Sequence, residues 1–193
     1  TASVEQIEES YLASLEALAT GAILAVIVVF IFLRDWRATL IAATAMPLSL
    51  IPTFAILGPL DQSLNVVTLL ALSLTIGILV DDAIVEIENI VRHMRDGKPP
   101  YDASLEAADE IGLAVVATTA TIIAVFAPVG FMPGIIGQFF KAFALAACVS
   151  VAFSLLVART LTPLMAAFIL KHSHHEDRDP FWMGGYLKAL HWC

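Results

Sequence analysis

Charge is scarce in this chain. Only 15% of its 193 residues are Asp, Glu, Lys or Arg, and none of these falls between residues 66 and 80. With 59% hydrophobic residues and a mean hydropathy of +0.86, the composition excludes both a disordered chain and an ordinary soluble domain. Basic residues are scarcer still, ten against 18 acidic ones for a net charge of -8, and they form no run, so no nucleic-acid partner is expected. Cysteine is nearly missing: Cys148 sits in an apolar stretch and Cys193 is the last residue, which gives neither a disulfide framework nor a metal-ligand spacing. The first sixteen residues hold Glu5, Glu8, Glu9 and Glu16 and nothing basic, so they are not the charged start of a signal peptide. They read as the interior of a longer protein. Alternation of the β type is also missing, leaving helices as the way to bury these apolar runs.

What the chain does have is five long apolar segments. The expected fold class is all-α, a polytopic membrane bundle with spans at about 12–33, 38–58, 65–91, 111–133 and 142–170. Pro47 and Pro52 fall inside the second span, Pro128 in the fourth and Pro163 in the fifth, where they read as kinks. Residues 58–63 and 134–141 read as turns, Asn65 with Thr68 as the cap of the third helix, and 96–100 as its stop. A short polar helix over 101–110 is expected to lead into the fourth span. Residues 172–193 read as a polar connector ending in an aromatic stretch beside Lys188 that suits a helix lying in the membrane interface. Loops after the first, third and fifth spans hold eight basic residues (Arg34, Arg37, Arg92, Arg95, Lys98, Lys171, Arg178 and Lys188), while the opposite side holds Lys141 alone. The positive-inside rule then puts the N-terminus outside and the C-terminus in the cytoplasm.

The third span carries the feature that composition makes conspicuous, Gly77-Ile78-Leu79-Val80-Asp81-Asp82-Ala83-Ile84-Val85-Glu86-Ile87-Glu88-Asn89. At 1.5 Å per residue, Asp81 lies roughly 22 Å in from the start of the uncharged run, and a hydrocarbon core is about 30 Å thick. One carboxylate at such depth costs on the order of 3 kcal/mol on insertion scales. Acids kept at that cost point to an ion or proton pathway. Successive helix positions diverge by about 100°, so Asp81 and Asp82 face different neighbours while titrating as a coupled pair. Ser73, Gly77 and Asp81 follow one another at four-residue spacing and share a face on which another helix can come close.

Other polar residues admit plainer readings. Glu86, Glu88 and Asn89 fit a solvated helix end, with proton exchange as the alternative. Thr118, Thr119 and Thr121 with Ser150 and Ser154 are expected to bond their own backbone or a neighbouring helix, with a role in a water path as the alternative. Arg159 is the one basic residue inside an apolar stretch, either snorkelling to the interface or pairing with Asp81 or Asp82. His172, His174 and His175 beside Glu176 and Asp177 fit a solvated linker, and no metal is expected.

With these residues in view, the chain resembles the resistance–nodulation–division (RND) efflux pumps, in their hydrophobe/amphiphile, AcrB-like branch. The segment from Gly77 to Val85 followed by Glu88-Asn89 resembles the fourth transmembrane helix of that family. Leu33-Arg34-Asp35-Trp36-Arg37-Ala38-Thr39-Leu40-Ile41, Phe126-Ala127-Pro128-Val129 and Leu161-Thr162-Pro163-Leu164 match in order along the chain, and the likeness covers about residues 10–193. The resemblance implies transmembrane helices two to six, with 1–11 the tail of a periplasmic porter segment, 12–171 the bundle, and 172–193 the cytoplasmic connector. It implies a secondary active transporter rather than an enzyme, in the bacterial inner membrane, exchanging protons for hydrophobic or amphiphilic compounds. Asp81 and Asp82 would be the proton relay, paired with a lysine on a helix of the second half of the protein. Ser73 and Gly77 would pack at the relay, and Glu86, Glu88, Arg159 and Thr118 would be auxiliary. The proton is the coupling ion and no cofactor is implied. The full-length protein would be a homotrimer working with a periplasmic adaptor (membrane fusion) protein and an outer-membrane channel. Glu86 and Arg159 depart from the family pattern, which leaves the local electrostatics open.

Three other readings bear on the same residues. An RND exporter of metal ions or lipids is one, although metal-exporting members usually lack the second adjacent aspartate. An intramembrane aspartyl protease needs two carboxyls converging on one water, which adjacent helical residues do not do. A non-transporting structural fragment has no use for two acids at depth.

Overall fold

The computed structural model describes residues 2–59 and 66–171, and these are helical apart from the short joints between helices, with no strand among them. The helices are α1 (Ala2–Leu33), α2 (Trp36–Leu57), α3 (Val66–Arg95), α4 (Pro100–Phe126) and α5 (Gly134–Ile169), with a 3-10 turn, Ala127–Phe131, after α4. All five α-helices are long and apolar enough to cross a membrane.

The joints follow from local chemistry. Arg34 takes a left-handed conformation (φ 50°) at the end of α1, and the Asp35 carboxylate then accepts the Arg37 amide at 2.8 Å as the cap of α2. Gly97, at φ 93°, ends α3 in the region where a side chain is disfavoured, and its amide and that of Lys98 satisfy the carbonyls of Met94 and His93. Pro100 opens α4 at a position that needs no amide donor. Around this joint Arg92 and His93 reach Glu110, at 2.6 and 2.8 Å, and Lys98 pairs with Glu106.

Several sequence expectations change in detail. The stretch 134–141 is not a turn but the first two turns of α5, opened by Pro133 as its cap. Its two glycines and lysine suggest a break, yet Gly137 is buried against the Met132 carbonyl, and packing overrides propensity. The polar helix expected over 101–110 is continuous with the fourth span. Pro128 does not kink a long helix; α4 ends at Phe126 and the proline sits in the 3-10 turn. Pro47, Pro52 and Pro163 do lie inside helices, as the apolar runs around them require. Asn65, the connector beyond Lys171 with its histidines, and its expected interfacial helix lie outside the described residues.

Helix α3 is the axis of the bundle and packs against α1, α2, α4 and α5. Its buried face carries Ile76, Val80, Ala83, Ile87 and Ile90, which form one core cluster with Val29 of α1, Ile41 of α2 and Val157 of α5. Small residues set the spacing: Ala71, Ala83, Ala146, Ala147, Ala158 and Ala166 are all almost fully buried, which lets backbones approach closely. The outside is apolar too, with Leu113, Phe131, Ile135 and Phe168 each at least three-quarters exposed. A surface of that kind belongs in lipid.

Candidate functional site

Asp81 and Asp82 lie side by side on α3, and the helix separates them as its geometry demands. Asp82 is turned inward with 9% of its surface exposed, whereas Asp81 is exposed on an adjacent face. Asp82 meets α5. The Ser154 hydroxyl donates to its Oδ2 at 2.8 Å and lies 3.4 Å from the Leu79 carbonyl oxygen. Further back along the same seam, two turns before Asp82 on α3 and one turn before Ser154 on α5, Ser150 donates to the Thr75 hydroxyl at 3.2 Å. Ser150, Ser154 and Thr75 are all buried, so hydroxyls line the α3–α5 contact as far as the carboxyl. Sequence reasoning gave Ser150 and Ser154 the general duty of hydroxyls in spans, with a water path as the alternative, and it missed Thr75. Their spacing, one helical turn apart on α5, was the signal available, but nothing in the sequence says which helix they face.

The Ser73–Gly77–Asp81 face is not covered by any helix of the described bundle. Gly77 is exposed, Ser73 half-buried, and a Cβ placed on Gly77 would meet nothing within 4 Å.

Glu86 corrects the reading of a solvated helix end. Its side chain is fully buried (0% exposed), and neither carboxylate oxygen has a hydrogen-bond partner among the described residues. Its nearest counter-charge is Arg159 of α5, with Nη1 at 3.8 Å from Oε2. The reason lies in α3 itself. Positions 79, 82, 83, 86, 87 and 90 form its buried stripe, and Glu86 falls on that stripe while Glu88 faces out. Asn89 is also buried, and its Nδ2 donates to the Ala107 carbonyl at 3.2 Å and to Glu110 Oε2 at 3.3 Å.

Arg159 does not pair with Asp81 or Asp82. Its Nη1 donates to the Ala108 carbonyl of α4, and its guanidinium lies against Gly112, where a Cβ would collide with it. With 29% of the side chain exposed, Arg159 runs from the bundle interior toward the surface and touches α3, α4 and α5 together. Thr118 stays out of the site, its hydroxyl bonding back to the Val115 carbonyl at 2.9 Å.

The arrangement is that of a multi-pass, all-α membrane protein whose central helix carries paired acids. Residues 3–191 match the AcrB/AcrD/AcrF family, and the chain belongs to it. Among its relatives is Multidrug resistance protein MdtC of Pantoea ananatis (strain AJ13355), 44% identical over 190 residues that cover 98% of this chain and 18% of the relative. MdtC of Enterobacter sp. (strain 638) is 40% identical over 200 residues, covering 99% of this chain and 19% of the relative. The chain thus spans under a fifth of the length of these relatives. The family expectation drawn from the Asp81-Asp82 segment and its companion motifs is correct.

Proposed function

We propose that this chain is the proton-handling half-bundle of an RND efflux transporter that exports hydrophobic or amphiphilic compounds in exchange for protons, with Asp81 and Asp82 as the relay. The observation that carries this reading is the division of the pair. Asp82 is sealed against Ser154 on α5, while Asp81 opens on the small-residue face of the same helix. A proton on either carboxyl changes the charge presented to two sides of α3 at once. A structural acid would need neither the depth nor the pairing.

The mechanism is a population shift. With the pair charged, a cationic side chain on a helix outside this chain is drawn toward Asp81 across the Ser73–Gly77 face. Protonation removes that attraction, and the two halves of the transporter repack. Transport is secondary active, with the proton as coupling ion. Basic residues cluster at one end of the spans, which supports a periplasmic N-terminus and cytoplasmic C-terminus in the inner membrane. The names of the MdtC relatives support multidrug substrates. The full-length protein would act as a homotrimer with an adaptor and an outer-membrane channel.

Dye efflux from cells carrying the full-length protein, wild type against Asp82→Asn, tests the reading. Both must be present in the membrane in equal amounts as trimers. Loss of efflux is expected, and undiminished efflux would make the pair structural.

A further inference from the structure

Glu86 is the most deeply buried acid of the bundle and plays no part in the relay described above. It lies four residues after Asp82, on the same buried stripe of α3, so the two side chains are neighbours across one helical turn, with Cβ atoms about 5–6 Å apart. Its surroundings hold little else that is charged. Residues 17–33 of α1, 38–57 of α2 and 111–126 of α4 carry no Asp, Glu, Lys or Arg, and Arg159 is the single charge over 142–170 of α5. Nearer the end of α3, Glu106 and Glu110 are exposed and occupied by Lys98, Arg92 and His93. From its own helix Glu86 sees Asp82 and Asn89, and Asn89 is directed to α4. One counter-charge therefore faces it, and loosely: 3.8 Å without a hydrogen bond.

Arg159 has a second anchor. The guanidinium is bonded to the Ala108 carbonyl and packed on Gly112, so it stays in place whether or not Glu86 is charged. A buried carboxyl with unused oxygens, beside a cation that does not depend on it, is free to exist in both forms. Charged, it is balanced by Arg159; neutral, it leaves Arg159 to Ala108 and to solvent.

We propose that Glu86 is a second proton-binding carboxyl, one turn to the cytoplasmic side of Asp82, through which the proton leaves the relay with Arg159 as its fixed counter-charge. The proposal rests on the proton-coupled reading above. The proton passes from the Asp82 carboxyl to the Glu86 carboxylate, which leaves Asp82 charged and Glu86 neutral. It then passes from Glu86 to cytoplasmic water along the partly exposed Arg159 side chain, and Glu86 regains its charge beside the guanidinium.

The test uses the full-length protein in liposomes of bacterial phospholipid, with an imposed pH gradient, ethidium as transported dye and a pH-sensitive dye in the compartment that receives the protons. Four variants are compared with wild type: Asp82→Asn, Glu86→Gln, Arg159→Met and the double variant Glu86→Gln/Arg159→Met. Glu86→Gln should assemble as trimers yet slow ethidium transport and proton release together, by at least about a hundredfold, the low end of what a positioned proton acceptor contributes. Arg159→Met should assemble with Glu86 held neutral, yet lose turnover because nothing then balances the charged form. The double variant should likewise assemble without turning over. A purely structural ion pair predicts the reverse, since removing both charges would restore turnover with assembly. Wild-type turnover in Glu86→Gln or in the double variant, with Asp82→Asn inactive, overturns this inference and leaves the relay standing. Should Glu86→Gln not assemble, the double variant decides, because neither charge remains. Full transport by Asp82→Asn would instead overturn the relay, and this step with it.

Discussion

Ser154 and Asp82 join two helices through one hydrogen bond: the serine hydroxyl of α5 donates across 2.8 Å to a carboxylate oxygen of α3, and both side chains are buried. Around it the α3–α5 contact combines small and aliphatic side chains with the Ser150–Thr75 hydrogen bond on one side and the Glu86–Arg159 pair on the other. The Ser154–Asp82 bond holds the inward aspartate against α5, and under the proposed relay Ser154 would be the residue of α5 that meets a change in its charge.

Replacing Ser154 tests that role. Ser154→Ala leaves a buried acceptor without its donor, at a cost of about 1–3 kcal/mol. Dye efflux by the full-length protein should fall several-fold while its amount in the membrane changes little. Ser154→Thr, which keeps the hydroxyl, should retain most of the activity. Equal loss in both would mean that space, not the hydrogen bond, matters at this position.

Gly112 should be intolerant of a side chain for a reason outside its own helix. A Cβ there runs into the Arg159 guanidinium, the far end of a flexible side chain. Gly112→Ala should therefore assemble but lose about 1–3 kcal/mol of stability through the displaced arginine. Combining it with Arg159→Met should cost less than the sum of the two, as expected for residues in contact. Thermal unfolding of detergent-purified protein measures the cycle, and strict additivity would argue against the contact.

Asn89 ties the end of α3 to α4 through Ala107 and Glu110. Asn89→Ala should lower the unfolding midpoint by an amount equivalent to about 1 kcal/mol, with more of the loss expected in α4 than in α1. Hydrogen exchange over α4 is the direct readout, and unchanged protection there would exclude the tie.

Gly97 holds a left-handed turn at φ 93° between α3 and α4. Gly97→Ala should cost about 1–2 kcal/mol, and Gly97→Asn less, because Asn tolerates that region better. Asn is the larger side chain, so a smaller loss for it than for Ala marks the backbone as the cause, and an equal or greater loss in thermal unfolding would point away from it.

The sequence made the helices legible because lipid imposes a simple rule: twenty or so apolar residues must be helical to satisfy their own backbone. All five spans follow from that, and so does the depth of Asp81 and Asp82. The start of α5 was harder, since Gly134, Gly137 and Lys141 resemble a break until the buried position of Gly137 is known. The divergence of the two aspartates was readable from helical geometry alone. Their partners were not. Ser154 and Arg159 come from α5, and no periodicity in one helix reveals which side of another it meets. Glu86 shows the same limit. Its distance from the end of the apolar run suggested solvent, while the stripe formed with Leu79, Asp82 and Ile90 puts it in the interior. That stripe was visible in the sequence as a spacing, and only packing shows which stripe is covered.

Helix α1 has a mechanical consequence of its own. Its 32 residues run without a proline or a break, so it is a rod about 48 Å long. A hydrocarbon layer of about 30 Å accommodates less than two-thirds of that length. The rest extends past the bilayer as a stiff shaft, rooted against α2 and α3 at its membrane end. A small tilt at the root would displace the far end of the shaft by a larger amount. Under the proposed relay, a shift of α3 against α1 would be felt well outside the lipid.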